Sequence, residues 1–259
     1  MPLEYIIMPL ATMGASVLAF LSGFGLGTLL MPVFALFFPV HVAIALTAIV
    51  HFFNNCFEMA FLFRHVDVRV MLAFGIPAAA GAYTGAKLLG LMCGMRPVEA
   101  YSLAGLHAEI TAVKLTIAIL ILLFAAFEAM PRLKDVSFGK RYVPLGGAVS
   151  GFFGGLSGHQ GAPRAAFLIT TGLSKESYIA TGVAAALIID LSRLSVYIHD
   201  LAQGGPGSHF LLLAAACGGA LGGTVIGNHI IGKVTFGIVR VLVSVLLVIV
   251  ALGLGTGLL

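Results

Sequence analysis

SGFGLGTLLMPVFALF at residues 22–37 and SGHQGAPRAAFLITT at residues 157–171 are two versions of one segment, 135 residues apart. Each places a Gly-rich break inside an otherwise apolar run. The same shift carries Ala45 onto Ala180, Asn55 onto Asp190 and Glu58 onto Arg193 without a gap. A shift of 142 carries Gly81, Gly85 and Gly90 onto Gly223, Gly227 and Gly232. The chain is written twice.

Composition says what solvent surrounds those copies. Hydrophobic residues make up 60%, charged residues 9%, and the mean hydropathy is +1.10. A soluble domain would carry about 25% charged residues. Apolar runs of roughly 20 residues, enough to cross about 30 Å of hydrocarbon, recur along the whole chain. This is the pattern of a polytopic helical membrane protein. The formal charge of +4 lies mainly in short loops, where it suits membrane orientation, so no nucleic-acid partner is implied. Cys56, Cys93 and Cys217 have no metal-ligand spacing, no His/Cys/Asp cluster resembles a zinc site, and no cofactor is expected.

Six stretches are long enough for full spans: roughly 41–63, 68–90, 110–130, 176–199, 208–231 and 235–257. Residues 4–38 and 143–173 are different: long for one span, short for two, and interrupted by SGFGLG (22–27) and GGLSGHQGAP (154–163). The backbone groups freed at such breaks must be buried in protein or line a cavity. If each broken segment is a re-entrant hairpin, then Arg64, Arg69, Arg132, Lys134, Lys140, Arg141, Lys175 and Lys233 share one side, against Lys87 and Arg96. If each one crosses, the same residues split six to four. The positive-inside rule prefers the hairpins, with both termini outside. The expected fold is therefore an all-α polytopic membrane protein of two inverted repeats, each a broken re-entrant helical hairpin plus three transmembrane helices. Residues 1–130 form the first repeat, 131–142 a cytoplasmic linker, and 143–259 the second repeat.

Duplicated membrane units with matching broken segments point to a secondary transporter whose site lies between the halves. In that arrangement the tips enter from opposite faces and meet near the midplane. Each presents a half-helix N-terminus with free N–H groups and a positive dipole. Ser22, Gly23 and Gly25 at the first tip, and Ser157, Gly158, His159, Gln160 and Gly161 at the second, are candidate substrate contacts. Arg164, one residue past Pro163, adds a guanidinium suited to a sulfonate, sulfite or carboxylate. Its alternative is a buried Arg that only pairs with a carboxylate.

Helix 41–63 carries Thr47, His51, Asn54, Asn55 and Glu58 within roughly a 100° arc, a polar stripe that lipid would penalise. Its counterpart, 176–199, carries Asp190 and Arg193 at i, i+3, close enough to pair. Asn54, Asn55 and Arg193 are therefore further candidate substrate contacts, while His51, Glu58 and Asp190 are candidate ion-coupling groups. His51 and His159 are candidates for coupling transport to protons, because histidine is the side chain that ordinarily changes charge near neutral pH; the alternative is a neutral hydrogen-bonding side chain. A net-neutral interior network of Glu58, Asp190, Arg164 and Arg193 is the structural alternative.

Taken together, SGFGLGTLLMPVFALF, HVAIALTAIVHFFNN (41–55), GAYTGAKL (81–88) and SGHQGAPRAAFLITTGLSKESYIATGV (157–183) resemble the TauE/SafE sulfite exporter family, also called the toluenesulfonate uptake permeases. The resemblance covers nearly the whole chain and rests on the paired order of the motifs. It implies a multi-pass transporter in the inner (plasma) membrane of a bacterium. The implied substrate is a small sulfur-containing or organic anion, moved by ion-coupled alternating access with H⁺ or Na⁺. Many members have a glycine run at the second tip, where this chain has His159-Gln160 before Gly161, and Arg164 after Pro163.

Two other function classes remain open. A passive anion channel is also built from inverted repeats. An intramembrane serine protease is suggested by Gly155-Leu156-Ser157-Gly158, which matches Gly-x-Ser-Gly. Ser157, however, has an equivalent in Ser22, where no catalytic role is indicated, so a backbone-shaping serine is expected and the chain is not read as an enzyme. The sequence leaves the anion, the direction of flux, the coupling ion and the oligomeric state open.

Overall fold

The computed structural model describes residues 4–22, 26–103, 106–129, 138–203, 210–230 and 236–259. Its helices, numbered in chain order, are α1 (Glu4–Ser22), α2 (Leu26–Ala35), α3 (Val40–Leu62), α4 (Val68–Cys93), α5 (Ala112–Ala129), α6 (Val143–Ser157), α7 (Gly161–Leu168), α8 (Lys175–Gln203), α9 (Phe210–Ile230) and α10 (Phe236–Gly255). The six expected spans and both breaks fall within a few residues of these limits. All-α is corrected to mostly helical: between α4 and α5, β1 (Glu99–Leu103) and β2 (Leu106–Ile110) pair antiparallel. This segment is too polar for a span. Glu99, Glu109 and His107 alternate with residues such as Ala108, which is buried, so a two-residue period replaces the helical one.

Local chemistry sets several boundaries. Pro39 precedes α3, where a missing N–H costs nothing. The Asp67 carboxylate accepts from Val70 N at 2.9 Å and so caps α4. Gly158 closes α6 with φ of +83°, a left-handed turn that glycine adopts without strain, and its N–H donates to the Gly154 carbonyl. The end of α7 then comes back beside the residues that precede α6. Phe138 N donates to the Ala166 carbonyl at 3.3 Å, Phe138 stacks on Phe167, and the Thr170 hydroxyl donates to the Phe138 carbonyl at 2.5 Å.

Glycines decide the tightest helix contacts. Gly147, Gly151 and Gly155 of α6 lie on the carbonyls of Phe74, Ala78 and Ala82 of α4, and Gly81 and Gly85 of α4 lie on Ala148 and Phe152 of α6. A Cβ at any of these would collide with backbone. The pairings rise together in number, so α4 and α6 run parallel. In the same way Gly219 and Gly223 of α9 lie on the carbonyls of Pro9 and Met13 of α1. Thr12 and Ser16 of α1 donate to the Ala216 and Ala220 carbonyls at 3.1 and 2.7 Å. The Gly-x-x-x-Gly stripes permit close approach as expected. Small residues also bring α4 alongside α8, where Ser192 donates to the Ala79 carbonyl at 2.7 Å and Asp67 N donates to Thr181.

Helices α3 and α8 pass through the interior, and both are long and apolar enough to cross a membrane. They touch at Asn55 and Asp190, while the turn after α3 touches Thr181. Numbering therefore rises along one as it falls along the other, and the two helices are antiparallel. Large apolar side chains such as Ile6, Phe53, Phe61, Ile76, Leu123, Leu191 and Leu211 face outward. Water would penalise such a surface; lipid would not.

Candidate functional site

The interior site forms where the broken segment α6–α7 meets α3 and α8. Asp190 sits at its centre, fully buried, and collects five donors. His51 Nδ1 lies 2.7 Å from Oδ2, and Asn55 Nδ2 donates to the same oxygen at 2.9 Å. Arg193 Nε and Nη2 donate to Oδ1 at 3.0 and 2.7 Å, and Gln160 Nε2 donates to it at 3.2 Å. Asn55 Nδ2 also lies 2.9 Å from His51 Nδ1, so His51, Asn55 and Asp190 form one buried cluster around Oδ2.

Sequence placed Asn55 and Asp190 at equivalent positions, and the structure puts them in hydrogen-bond contact. Arg193, also fully buried, gives its remaining arm to the break: Nη1 donates to the Gly154 carbonyl at 3.0 Å. In this conformation the guanidinium ties α8 to α6, and its contacts are protein groups. The bidentate pair with Asp190 is the one expected from the i, i+3 spacing.

The two breaks lie against each other. A Cβ on Gly27, at the start of α2, would stand 3.0 Å from the Gly158 carbonyl and 3.7 Å from His51 Cδ2. His51 is thus wedged between Asp190 on one side and the meeting point of the breaks on the other. Gly23 and Gly25 lie outside the described residues; Ser22 ends α1, but its side chain is also outside them.

At the second tip each polar group is half used. His159 Nδ1 lies 3.0 Å from the Ser157 carbonyl, an acceptor, so Nδ1 carries the proton. Its ring stacks on Phe124 of α5, and Nε2 is buried without a partner. Gln160 must turn its amide N–H toward Asp190, which leaves Oε1 buried and unpaired. Arg164, in the first turn of α7, stands beside Gly182 of α8 and within the field of the Asp190 and Glu58 carboxylates. Its Nη1 is buried without a partner. Thr47 Oγ1 on α3 is a fourth such atom. Native interiors rarely leave these groups unpaired, because each costs about 1–3 kcal/mol. Gly161 N–H and Ala162 N–H, at the start of α7, have no intrahelical acceptor by construction.

Ser157 serves the backbone. Its hydroxyl donates to the Phe153 carbonyl at 3.0 Å, so its proton is not directed at His159, although His159 Nδ1 lies 3.1 Å from the oxygen. A nucleophile needs the reverse polarity, with the imidazole accepting.

Asn54 turns away from Asp190. Its Nδ2 donates to Glu58 Oε1 at 2.8 Å, and its Oδ1 accepts from Thr224 of α9 at 3.0 Å. Thr224 in turn lies 2.9 Å from Ser16 of α1. The polar stripe of α3 therefore serves two networks, one through His51 and Asn55 and one through Asn54 and Glu58. Among the described residues no group of His, Cys, Asp and Glu could hold a metal ion.

The family description Sulfite exporter TauE/SafE matches residues 8–254, which take in both breaks and every helix that builds this site. The chain belongs to the sulfite exporter TauE/SafE family. It is thus a membrane transport protein, and its outward apolar surface and long interior helices agree with that. Neither a curated protein nor a solved structure matches it.

Within this family member, sequence reasoning missed Ser16, Ser150, Tyr197 and Thr224. Ser150 donates to the Gln160 carbonyl at 2.8 Å, and the Tyr197 hydroxyl donates to the Gly155 carbonyl; both brace the break. Tyr197 lies at i+7 from Asp190 and i+4 from Arg193, so extending that stripe by two turns would have found it. Ser16 and Thr224 carry no such signal. They meet only because α1 packs on α9.

Proposed function

We propose that this chain carries a small sulfur oxyanion, sulfite- or sulfonate-like, across the membrane through the interior site. The observation that carries the proposal is the buried, unpartnered Nη1 of Arg164 in the first turn of α7. An oxyanion there would take a charge-assisted hydrogen bond from Arg164 and further ones from the free N–H groups of Gly161 and Ala162. Gly27, whose missing side chain leaves room for the Gly158 carbonyl, lets the start of α2 approach the second break closely enough to help enclose it. Arg193 holds Asp190 and the Gly154 carbonyl in place, so that the break keeps its shape.

The architecture we infer is two inverted repeats, 1–130 and 143–259, joined through 131–142. Three contacts support it. The 142 shift carries Gly81 onto Gly223, the 135 shift carries Met13 onto Ala148, and Gly81 packs on Ala148 as Gly223 packs on Met13. Equivalent helices α3 and α8 run antiparallel and touch at equivalent residues, as a twofold axis in the membrane plane demands. The return of Thr170 to Phe138 supports the re-entrant hairpin, and the family membership supports a multi-pass protein of a bacterial inner membrane.

Transport by alternating access then rocks one repeat against the other around a fixed site. Glu58 and His51 are the coupling groups. Asp190 is held by five donors, whereas Glu58 has a bond from Asn54 alone among the described groups, so a proton or Na⁺ can associate with it. That cation relieves the repulsion an anion would otherwise meet. The test is a thermal-shift panel on purified protein with sulfite, sulfate, thiosulfate, taurine and simple carboxylates. A sulfur oxyanion is expected to raise the unfolding temperature, and Arg164→Gln to remove the rise. Stabilisation by carboxylates alone would reassign the substrate.

A further inference from the structure

One end of the molecule gathers cations that the transport site does not use. The turn between α3 and α4 brings Arg64 and Arg69, the segment before α6 brings Lys140 and Arg141, and the start of α8 brings Lys175; all five are exposed. Contacts tie these segments together. Asp67 N donates to Thr181 of α8, and Lys140 Nζ lies 3.4 Å from where a Cβ on Gly172 would stand. Phe138 is bonded to both Ala166 and Thr170.

Among the described residues none of the five joins an ion pair. Among the described residues the nearby acids are Asp67, which caps α4, and Glu176, which is bonded by Ser174 and close to His65 and Lys175. The described part of the cluster therefore carries a net excess of three positive charges, five cations against two acids, with His65 beside it. The other end is closer to balance. Helix α4 runs 26 residues, about 39 Å, to reach it. There, among the described residues, Lys87, Arg96 and Lys114 stand against Glu99 and Glu109, and Lys114 donates to the Glu109 and Gly257 carbonyls at 3.1 and 3.2 Å.

The surroundings of the cationic end fix its depth. Phe61, Phe63, Leu145, Ile169 and Ile179 are all exposed within a turn or two of the charges. Arg64 lies over the Phe63 ring at 5.5 Å, and Arg141 lies over Tyr142 at 4.6 Å while donating to its hydroxyl at 2.6 Å. Apolar surface below, aromatic rings beside and guanidinium above is the order found at a headgroup layer. Water-facing loops have no use for exposed aromatics.

We propose that this end binds the phosphate headgroups of anionic phospholipids, with Arg64, Arg69, Lys140 and Arg141 as the contacts. The Arg64 guanidinium over Phe63, and the N–H groups of Arg141 other than the one given to Tyr142, can donate to phosphate oxygens. Each cation near an anionic surface adds to the attraction, and together they favour one leaflet and fix the protein's orientation. The inference is independent of the transported anion.

The test reconstitutes purified full-length protein in nanodiscs of phosphatidylcholine, with or without phosphatidylglycerol, and reads its unfolding temperature and the lipid retained in native mass spectrometry. A variant with Arg64→Gln, Arg69→Gln, Lys140→Gln and Arg141→Gln is the comparison. The wild type is expected to retain phosphatidylglycerol about five-fold or more over phosphatidylcholine, and to gain stability from it. The variant should unfold at the wild-type temperature in phosphatidylcholine and lose the preference. Equal retention of both lipids, or an unchanged preference in the variant, would overturn the proposal. So would glycerol phosphate reproducing the stabilisation in phosphatidylcholine discs, since the site would then take a soluble phosphate. If the variant fails to fold, Arg64→Gln and Arg141→Gln are read singly, and each must lower the preference.

Discussion

At the scale of single residues, Arg164 and Arg193 have the same side chain and opposite duties. Arg193 is surrounded by acceptors, and removing it would leave Asp190 charged and buried. Arg193→Gln is therefore expected to cost about 3–5 kcal/mol of stability, measured by unfolding in detergent. Adding Asp190→Asn should recover part of that loss, because it removes the orphaned charge. Arg164 has a buried nitrogen with no partner, so Arg164→Gln should leave stability unchanged or slightly improved and weaken anion binding tenfold or more. Wild-type affinity in Arg164→Gln would move this arginine to a structural role. The sequence made both arginines visible as charges in apolar runs. It did not show which one is neutralised, because that depends on Gly154 and Asp190 arriving from different segments. Spacing gave the Asp190–Arg193 pair; only packing gave the third arm.

At the scale of elements, the helix contacts are legible wherever glycine spacing carries them. Gly81 and Gly85 announced a close packing, and α6 fills it with its own Gly147, Gly151 and Gly155. Gly151→Leu is expected to force α4 and α6 apart and to prevent or strongly destabilise folding, since the obstructing atoms are backbone. Gly218, one residue from the closely packed Gly219, has nothing within 4 Å of its would-be Cβ. Gly218→Ala should thus be neutral or stabilising by up to about 1 kcal/mol, through helix propensity alone. Thermal unfolding of the two variants side by side checks the contrast. The β-hairpin was not foreseen, because residues 91–109 offered no apolar period long enough to decide an element. Its docking depends on the chain's far end: Tyr101 donates to the Thr256 carbonyl at 2.5 Å.

At the scale of the whole molecule, two sequence halves have exchanged partners, with α4 of the first on α6 of the second and α9 of the second on α1 of the first. In the proposed mechanism one half moves against the other around the contact of Asn55 and Asp190. The duplication was readable from numbering alone, and charge counting favoured the hairpins. The inverted repeat already implied that α3 and α8 run antiparallel; that they meet at Asn55 and Asp190 needed coordinates. Topology has a direct check in single cysteines, placed on a background in which Cys56, Cys93 and Cys217 are replaced by alanine. Positions 140 and 175 should react with an impermeant reagent from the same side of the membrane, and position 99 from the other. Reaction of 140 and 175 from opposite sides would remove the re-entrant hairpin. The central claim is that a sulfur oxyanion crosses at the Arg164 site in company with a cation. It is tested by following labelled sulfite in proteoliposomes at fixed voltage, under an imposed pH gradient and then an imposed Na⁺ gradient. The wild type is expected to accumulate sulfite against its own gradient when one of the two cation gradients is applied, and Arg164→Gln to abolish accumulation. Flux that follows the sulfite gradient alone, or that persists unchanged in Arg164→Gln, would contradict it.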